Sequence, residues 1–337
     1  MMDMPPLRFA HVNGVRMGFY EAGPASDPTP FVLCHGWPEI AFTWRRQIKA
    51  LSEAGYRVVA PDQRGYGATD CPSETEDYSI EHLTGDLVGL LDHLGLDKAI
   101  FVGHDWGGFV VWEMALKHAQ RVAGVVSLNT PHLKRAPADP IAILRGRHGE
   151  RMYTVAFQNP DHEADRFFAE NVDKLFDAFL RAPLPRKASE VAGAGVSSKV
   201  NLDFAGFLAA YDSQRDKRPR IMPEEERKVF VDAFRRTGFT GGINWYRNIT
   251  RNWGRAAGRD DTIRAPALMI MAERDLVQRP ASADRMETLV PNLTKHLVRD
   301  CGHWTQEEKP QEVSATIIDW RRRVLERSIG ADESVRK

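Results

Sequence analysis

The chain has 337 residues and equal numbers, 46 and 46, of basic and acidic side chains, so net charge gives no reason to expect a nucleic acid or an anionic membrane as partner. Three cysteines, Cys34, Cys71 and Cys301, are too few and too scattered for a disulfide framework or a CxxC metal site. No apolar stretch reaches the roughly 20 residues that span a bilayer, and the opening MMDMPPLRFA lacks the basic-then-apolar pattern of a signal peptide. A reducing cytoplasm is the expected location, and a charge near zero leaves monomer and homodimer both open.

Taken in order, the chain begins with two strands, LRFAHV and VRMGFYEAG, joined at Asn13-Gly14, the strongest short hairpin signal. FVLCHG (31–36) is a buried strand running into a loop, and RVVAPD (57–62) is the next, ending in the glycine-bearing loop QRGYGATD. A helix over about 79–95 follows, with Ser79 as its N-cap. AIFVGHD (99–105) is a strand, WGGFVVWEMALKH a helix, and VAGVVSLNT (122–130) another strand. Between about Pro131 and Trp253 the buried strands stop. Helical stretches such as ADRFFAENVDKLFDAFLRA and PEEERKVFVDAFRRTG replace them, broken up by Pro183, Pro185, Pro219 and Pro223. Strands resume at PALMIMAERD (266–275) and TKHLVRD (294–300). A helix over about 310–327 closes the chain, and the polar SIGADESVRK is expected to fray. Strands alternating with helices predict an α/β fold, a mostly parallel eight-stranded sheet with helices on both faces. The expected division is a core of 1–130 and 255–337 and an inserted helical cap of 131–254.

The chemistry concentrates at Gly103-His104-Asp105-Trp106-Gly107-Gly108, where a strand meets a helix. A Gly-x-nucleophile-x-Gly run there makes a sharp elbow that lifts the central side chain to the carboxyl edge of the sheet, beside a helix N-terminus that favours an anion. The central residue here is a carboxylate. The bland alternative is that Asp105 merely caps the helix.

HGWPE (35–39), GHDWGG (103–108) and DCGHW (300–304), in that order, resemble the epoxide hydrolases of the α/β-hydrolase fold, and the resemblance covers nearly the whole chain. It implies the chain order nucleophile, acid, histidine: Asp105, then Asp275 in ERDLV, then His303. Asp275, with Glu273 a near neighbour, could instead be a solvated loop acid, and His303 a surface histidine. Some relatives carry the acid after the preceding strand, where Asn129 stands here. His35 and His104 read as supports of the oxyanion loop and the elbow. The family's oxyanion hole maps onto the backbone N–H groups of Trp37 and Trp106, and the Trp37-Pro38 bond is a candidate for the cis form. Tyr153 in MYTVAFQNP and Tyr246 in GGINWYRNI are similar to the family's paired tyrosines, whose hydroxyls face the epoxide oxygen, with core packing as the alternative. Other cap Phe and Trp residues are expected to form the cap core and the pocket wall.

A carboxylate is ionised at neutral pH and can attack a saturated carbon, which suits epoxides rather than ordinary esters. The resemblance therefore implies hydration of an epoxide to a vicinal diol through an alkyl ester on Asp105, with no metal or organic cofactor. A haloalkane dehalogenase, with the Trp106 indole holding halide, is the nearest rival. A non-catalytic ligand receptor on the same scaffold is the rival of a different class.

Overall fold

A computed structural model describes residues 4–183 and 202–335. One eight-stranded sheet runs in the order β1-β2-β4-β3-β5-β6-β7-β8, from β1 (Leu7–Val12), β2 (Val15–Ala22), β3 (Phe31–Cys34), β4 (Val58–Pro61), β5 (Ala99–His104), β6 (Val122–Leu128), β7 (Ala267–Ala272) and β8 (Leu293–Val298). β2 alone runs opposite to the other described strands. At its hairpin Asn13 and Gly14 both take positive φ, 44° and 81°, the pair of left-handed residues that matches the twist of the strands.

The central strands are buried along their whole length because both faces of the sheet are covered. Alternation then sorts their side chains. Phe31, Leu33, Ile100 and Val102 join one apolar cluster with Trp44, Ile48 and Ile317, under the helices α1 (Arg45–Glu53) and Pro310–Val335. Val32, Cys34, Ala99 and Phe101 join the other, with Leu87 and Leu90 of α2 (Ile80–His93) and Val110 and Met114 of α3 (Trp106–Lys117). Ser79 stands at the N-cap of α2, as expected, but its hydroxyl meets His82 Nδ1 at 2.9 Å and caps no backbone N–H.

Between β6 and β7 the described chain is helical, from Pro140–His148 to Ile249–Arg255, its sole described β-pairing an isolated bridge between Arg181 and Arg220. The helical stretch ADRFFAENVDKLFDAFLRA forms two helices, Glu163–Glu170 and Val172–Phe179, because Asn171 leaves helical geometry at φ −118°. Pro223 starts the helix Glu224–Thr237 and Pro219 flanks the bridge; Pro185 lies outside the described residues. The closing helix continues to Val335 rather than ending near 327, and no proline after Pro310 interrupts it. No described helix is long and apolar enough to cross a membrane.

A buried ion cluster joins this insert to the sheet. Arg45 of α1, its side chain fully enclosed, meets Glu307 at 2.5 Å and also binds Glu226 of the insert helix Glu224–Thr237. Arg46 contacts the same two carboxylates. Two cations face two anions, so the cluster is neutral, and a carboxylate there lacks water only because its partners replace it.

Candidate active site

The elbow forms because β5 delivers the chain straight into α3. Asp105 bears the strain, at φ 51°, a conformation that costs of order 1–3 kcal/mol and persists only where surroundings enforce it. Glycines make the turn possible by close approach. A Cβ on Gly107 would stand 2.0 Å from the Cys34 carbonyl oxygen, and one on Gly103 would stand 2.2 Å from that of Gly107. Both obstacles are backbone and cannot swing aside. We therefore expect Gly107→Ala to destabilise the fold by about 2–3 kcal/mol, the upper part of the overpacking range. Gly146→Ala, inside a helix with open space around it, should be neutral or stabilising. Equal denaturation midpoints for the two variants would contradict this account.

Asp105 occupies the N-cap position of α3, yet its side chain makes no capping bond. Its Oδ1 accepts instead from the Trp37 backbone N–H at 2.9 Å, and the Trp106 N–H also donates to the carboxylate. The Trp37-Pro38 bond is cis. Burial pushes the Asp105 carboxyl up from its ordinary range, opposed by the nearby histidines and these two donors.

His303 and Asp275 come to the same place. His303 Nδ1 meets Asp275 Oδ2 at 2.8 Å, and Nε2 stands 3.8 Å from Asp105 Oδ2. Asp275 Oδ1 accepts from the backbone N–H groups of Val277 and Gln278. Burial alone would raise Asp275, but His303 and these donors outweigh it and hold it below the carboxylate range. Burial likewise opposes charge on His303, yet Asp275 and then Asp105 lift it to about 9. Glu273 is elsewhere, bound to Arg299 and the Asp300 N–H.

Tyr153 begins the short helix Tyr153–Ala156, and Tyr246 lies in Thr240–Arg247. Their ring centroids are 5.7 Å apart, and Tyr246 stands 5.0 Å from the Trp106 ring. Both hydroxyls are pushed above their ordinary range, by burial first and then by the charge of Asp105, so both stay protonated and within reach of that carboxylate's field. The Trp106 side chain hydrogen-bonds Tyr246. Phe157, Phe168 and Phe204 ring Trp37 at 5.4–6.3 Å. A cavity of about 640 Å³ opens on the outer side of Tyr153, walled by Phe157, Phe167, Phe168 and Phe204 together with the charged Arg145, Arg151, Glu163 and Asp203; Asp105, Asp275, His303 and Tyr246 do not line it.

Two supporting residues were not singled out by sequence reasoning. Glu39 accepts from the Gly36 N–H at 2.6 Å and meets His104 Nδ1 at 2.9 Å, while His104 Nε2 reaches the His303 carbonyl at 2.8 Å. Asn129 touches both Asp275 and His303. Glu39 lies within HGWPE and Asn129 directly beyond the buried strand VAGVVSL, but neither local sequence says which distant groups the side chain meets. His35 is spent locally, on Gly36 and Gln63.

The alpha/beta hydrolase fold model matches residues 29–310. The chain is 40% identical over 327 residues to "Epoxide hydrolase A" of Mycobacterium tuberculosis, covering 95% of this chain and 98% of that protein. It is 40% identical over 316 residues to "Bifunctional epoxide hydrolase 2" of Sus scrofa, covering 91% of this chain and 53% of the relative; the chain thus spans about half the length of the bifunctional relatives it matches. The crystal structure of Epoxide Hydrolase A from Mycobacterium thermoresistibile superposes with a TM-score of 0.79 at 39% identity, covering 94% of this chain and 98% of that one.

Proposed function

The chain belongs to the alpha/beta hydrolase fold family and, within it, to the epoxide hydrolases, and on that premise we propose that it hydrates a small-molecule epoxide to a vicinal diol through an ester on Asp105. The observation that carries this reading is where the two oxyanion donors point. They grip the oxygens of Asp105 itself. The acyl group to be hydrolysed is then the enzyme's own, made when the carboxylate attacks a saturated carbon.

In the first step Asp105 forms a bond to an epoxide carbon and the C–O bond breaks. Tyr153 and Tyr246 hydrogen-bond the departing oxygen, which takes a tyrosine proton. The imidazolium proton of His303 makes good that loss and leaves His303 neutral. In the second step His303 takes a proton from water, and the hydroxide attacks the ester carbonyl, whose oxyanion is held by the Trp37 and Trp106 N–H groups. Collapse expels the diol alkoxide, which takes the proton of the new Asp105 carboxylic acid. Aspartate and imidazolium are restored together. The helical insert acts as the cap, bringing both tyrosines over the elbow.

The test separates the two steps. A His303→Gln protein should still alkylate but stall, so that an adduct with the mass of the epoxide accumulates on the peptide containing Asp105. Diol formation at the parent rate would move the base elsewhere. The pH dependence has a definite sign. In the free protein His303 holds its proton up to about pH 9. Ester formation neutralises Asp105, one cause of that elevation, so the proton is held less tightly. Hydrolysis needs the neutral ring and should therefore rise with pH through a midpoint below the one His303 shows in the free protein. Single-turnover hydrolysis set beside an NMR titration measures both; a hydrolysis midpoint at or above the free-protein value would contradict the linkage.

A further inference from the structure

We propose that Asn129 is a positioning residue for the hydrolysis step, fixing Asp275 and His303 from the neighbouring strand; this rests on the covalent reading above. β6 and β7 run side by side and parallel, so the loops leaving their carboxyl ends emerge together. Asn129 follows β6 directly, and its backbone N–H donates to the Ile270 carbonyl of β7 at 2.8 Å, extending the pairing by one rung. Its φ of 65° is left-handed, a conformation Asn tolerates better than most residues. Its side chain is thereby aimed across the carboxyl edge of β7.

Each polar atom of that buried side chain is committed. Nδ2 donates to Asp275 Oδ2 at 2.7 Å and to the His303 carbonyl at 2.9 Å. Oδ1 accepts from the Thr305 hydroxyl at 2.7 Å. Two acceptors on one side and a donor on the other allow one amide orientation only. One neutral group therefore holds the carboxylate that orients His303 and also the main chain that carries it. Displacement of a reacting group by about 1 Å can cost on the order of 10²-fold in rate. Bond making and breaking in the first step need Asp105 and the tyrosines, none of which Asn129's side chain touches; His303 only replaces the tyrosine proton once the ring has opened. The second needs the Asp275–His303 pair, so loss of Asn129 should fall on hydrolysis alone.

Neutrality matters as much as geometry. His303 is faced by Asp275 from the loop after β7, by Asp105 from the elbow, by Glu39 from the loop after β3, by Glu308 from the helix Thr305–Glu308 and by His104 from β5. A further carboxylate at position 129 would hold the imidazolium proton more tightly and make the neutral base available only at higher pH.

Rapid quenching of Asn129→Asp and Asn129→Ala proteins with styrene oxide, followed by mass spectrometry of the Asp105 peptide, resolves the two steps. Adduct should form in both at rates within about twofold of the parent. Its hydrolysis should slow by about tenfold or more, so that adduct becomes the main species, as a modest displacement of the base would cause. In Asn129→Asp the hydrolysis midpoint should also move to higher pH. Equal slowing of both steps in Asn129→Ala would mark a merely structural residue and overturn the proposal, as would unchanged hydrolysis in both variants. A parent protein that forms no adduct would remove the covalent reading on which it stands, a distinguishable failure.

Discussion

An Asp105→Ala protein should form no adduct and make no diol above the uncatalysed rate, a loss of at least about 10⁴-fold, the scale seen when a covalent machinery loses a member. The expectation is this large because no other carboxylate can take over. Asp275 is committed to His303 and two backbone N–H groups, and Glu39 to Gly36 and His104. The same atom decides where the product's new oxygen originates. In a single turnover of the parent protein in heavy-oxygen water, the first diol should be unlabelled and the label should enter the Asp105 carboxylate. Direct attack by water, with Asp105 as a general base, predicts label in the first diol instead. That result would retire the ester while leaving the fold and family untouched.

Replacing both Tyr153 and Tyr246 with phenylalanine should nearly abolish alkylation, while each single replacement slows it about 10²-fold, the lower end of general-acid effects. An alkoxide leaves poorly, so ring opening depends on a proton or a strong hydrogen bond at the oxygen. Because the two hydroxyls serve one oxygen, either alone retains part of the effect. Both are pushed above the ordinary tyrosine range, which keeps them as donors across the pH range in which His303 changes state. Hydrolysis of an adduct already formed does not use them as acids and should slow far less in the single variants. An unchanged alkylation rate in the double variant would dismiss the pair as packing.

Much of this was legible in the sequence because the chemistry sits at chain features with local signatures. The Asn13-Gly14 turn, the glycines around Asp105 and the alternation of strand and helix each depend on near neighbours. The proline after Trp37 marked a bond that can turn cis cheaply, and it did. What the sequence withheld depends on strand order. That β6 lies beside β7 is a fact of the sheet, and only that adjacency brings Asn129 to Asp275 across 146 positions. Glu39 was in view within HGWPE, but its contact with His104 spans 65 positions. The break at Asn171 was hidden for another reason. The apolar spacing on either side suits a helix, and the interruption shows only in the backbone.

The Arg45–Arg46–Glu226–Glu307 cluster bears on how such a protein could be recombined. An insert joined to its host only through oily contacts could be exchanged for another of similar shape. Here one of the four charges belongs to the insert, so a graft lacking an acid at the position of Glu226 would leave two guanidinium groups against a single carboxylate in an enclosed place. Breaking a buried pair in this way typically costs about 3–5 kcal/mol, a large share of the 5–15 kcal/mol that holds most domains folded. Chimeras between this chain and its relatives should therefore succeed or fail as matched sets, with α1, the short helix carrying Glu307 and the helix carrying Glu226 inherited together.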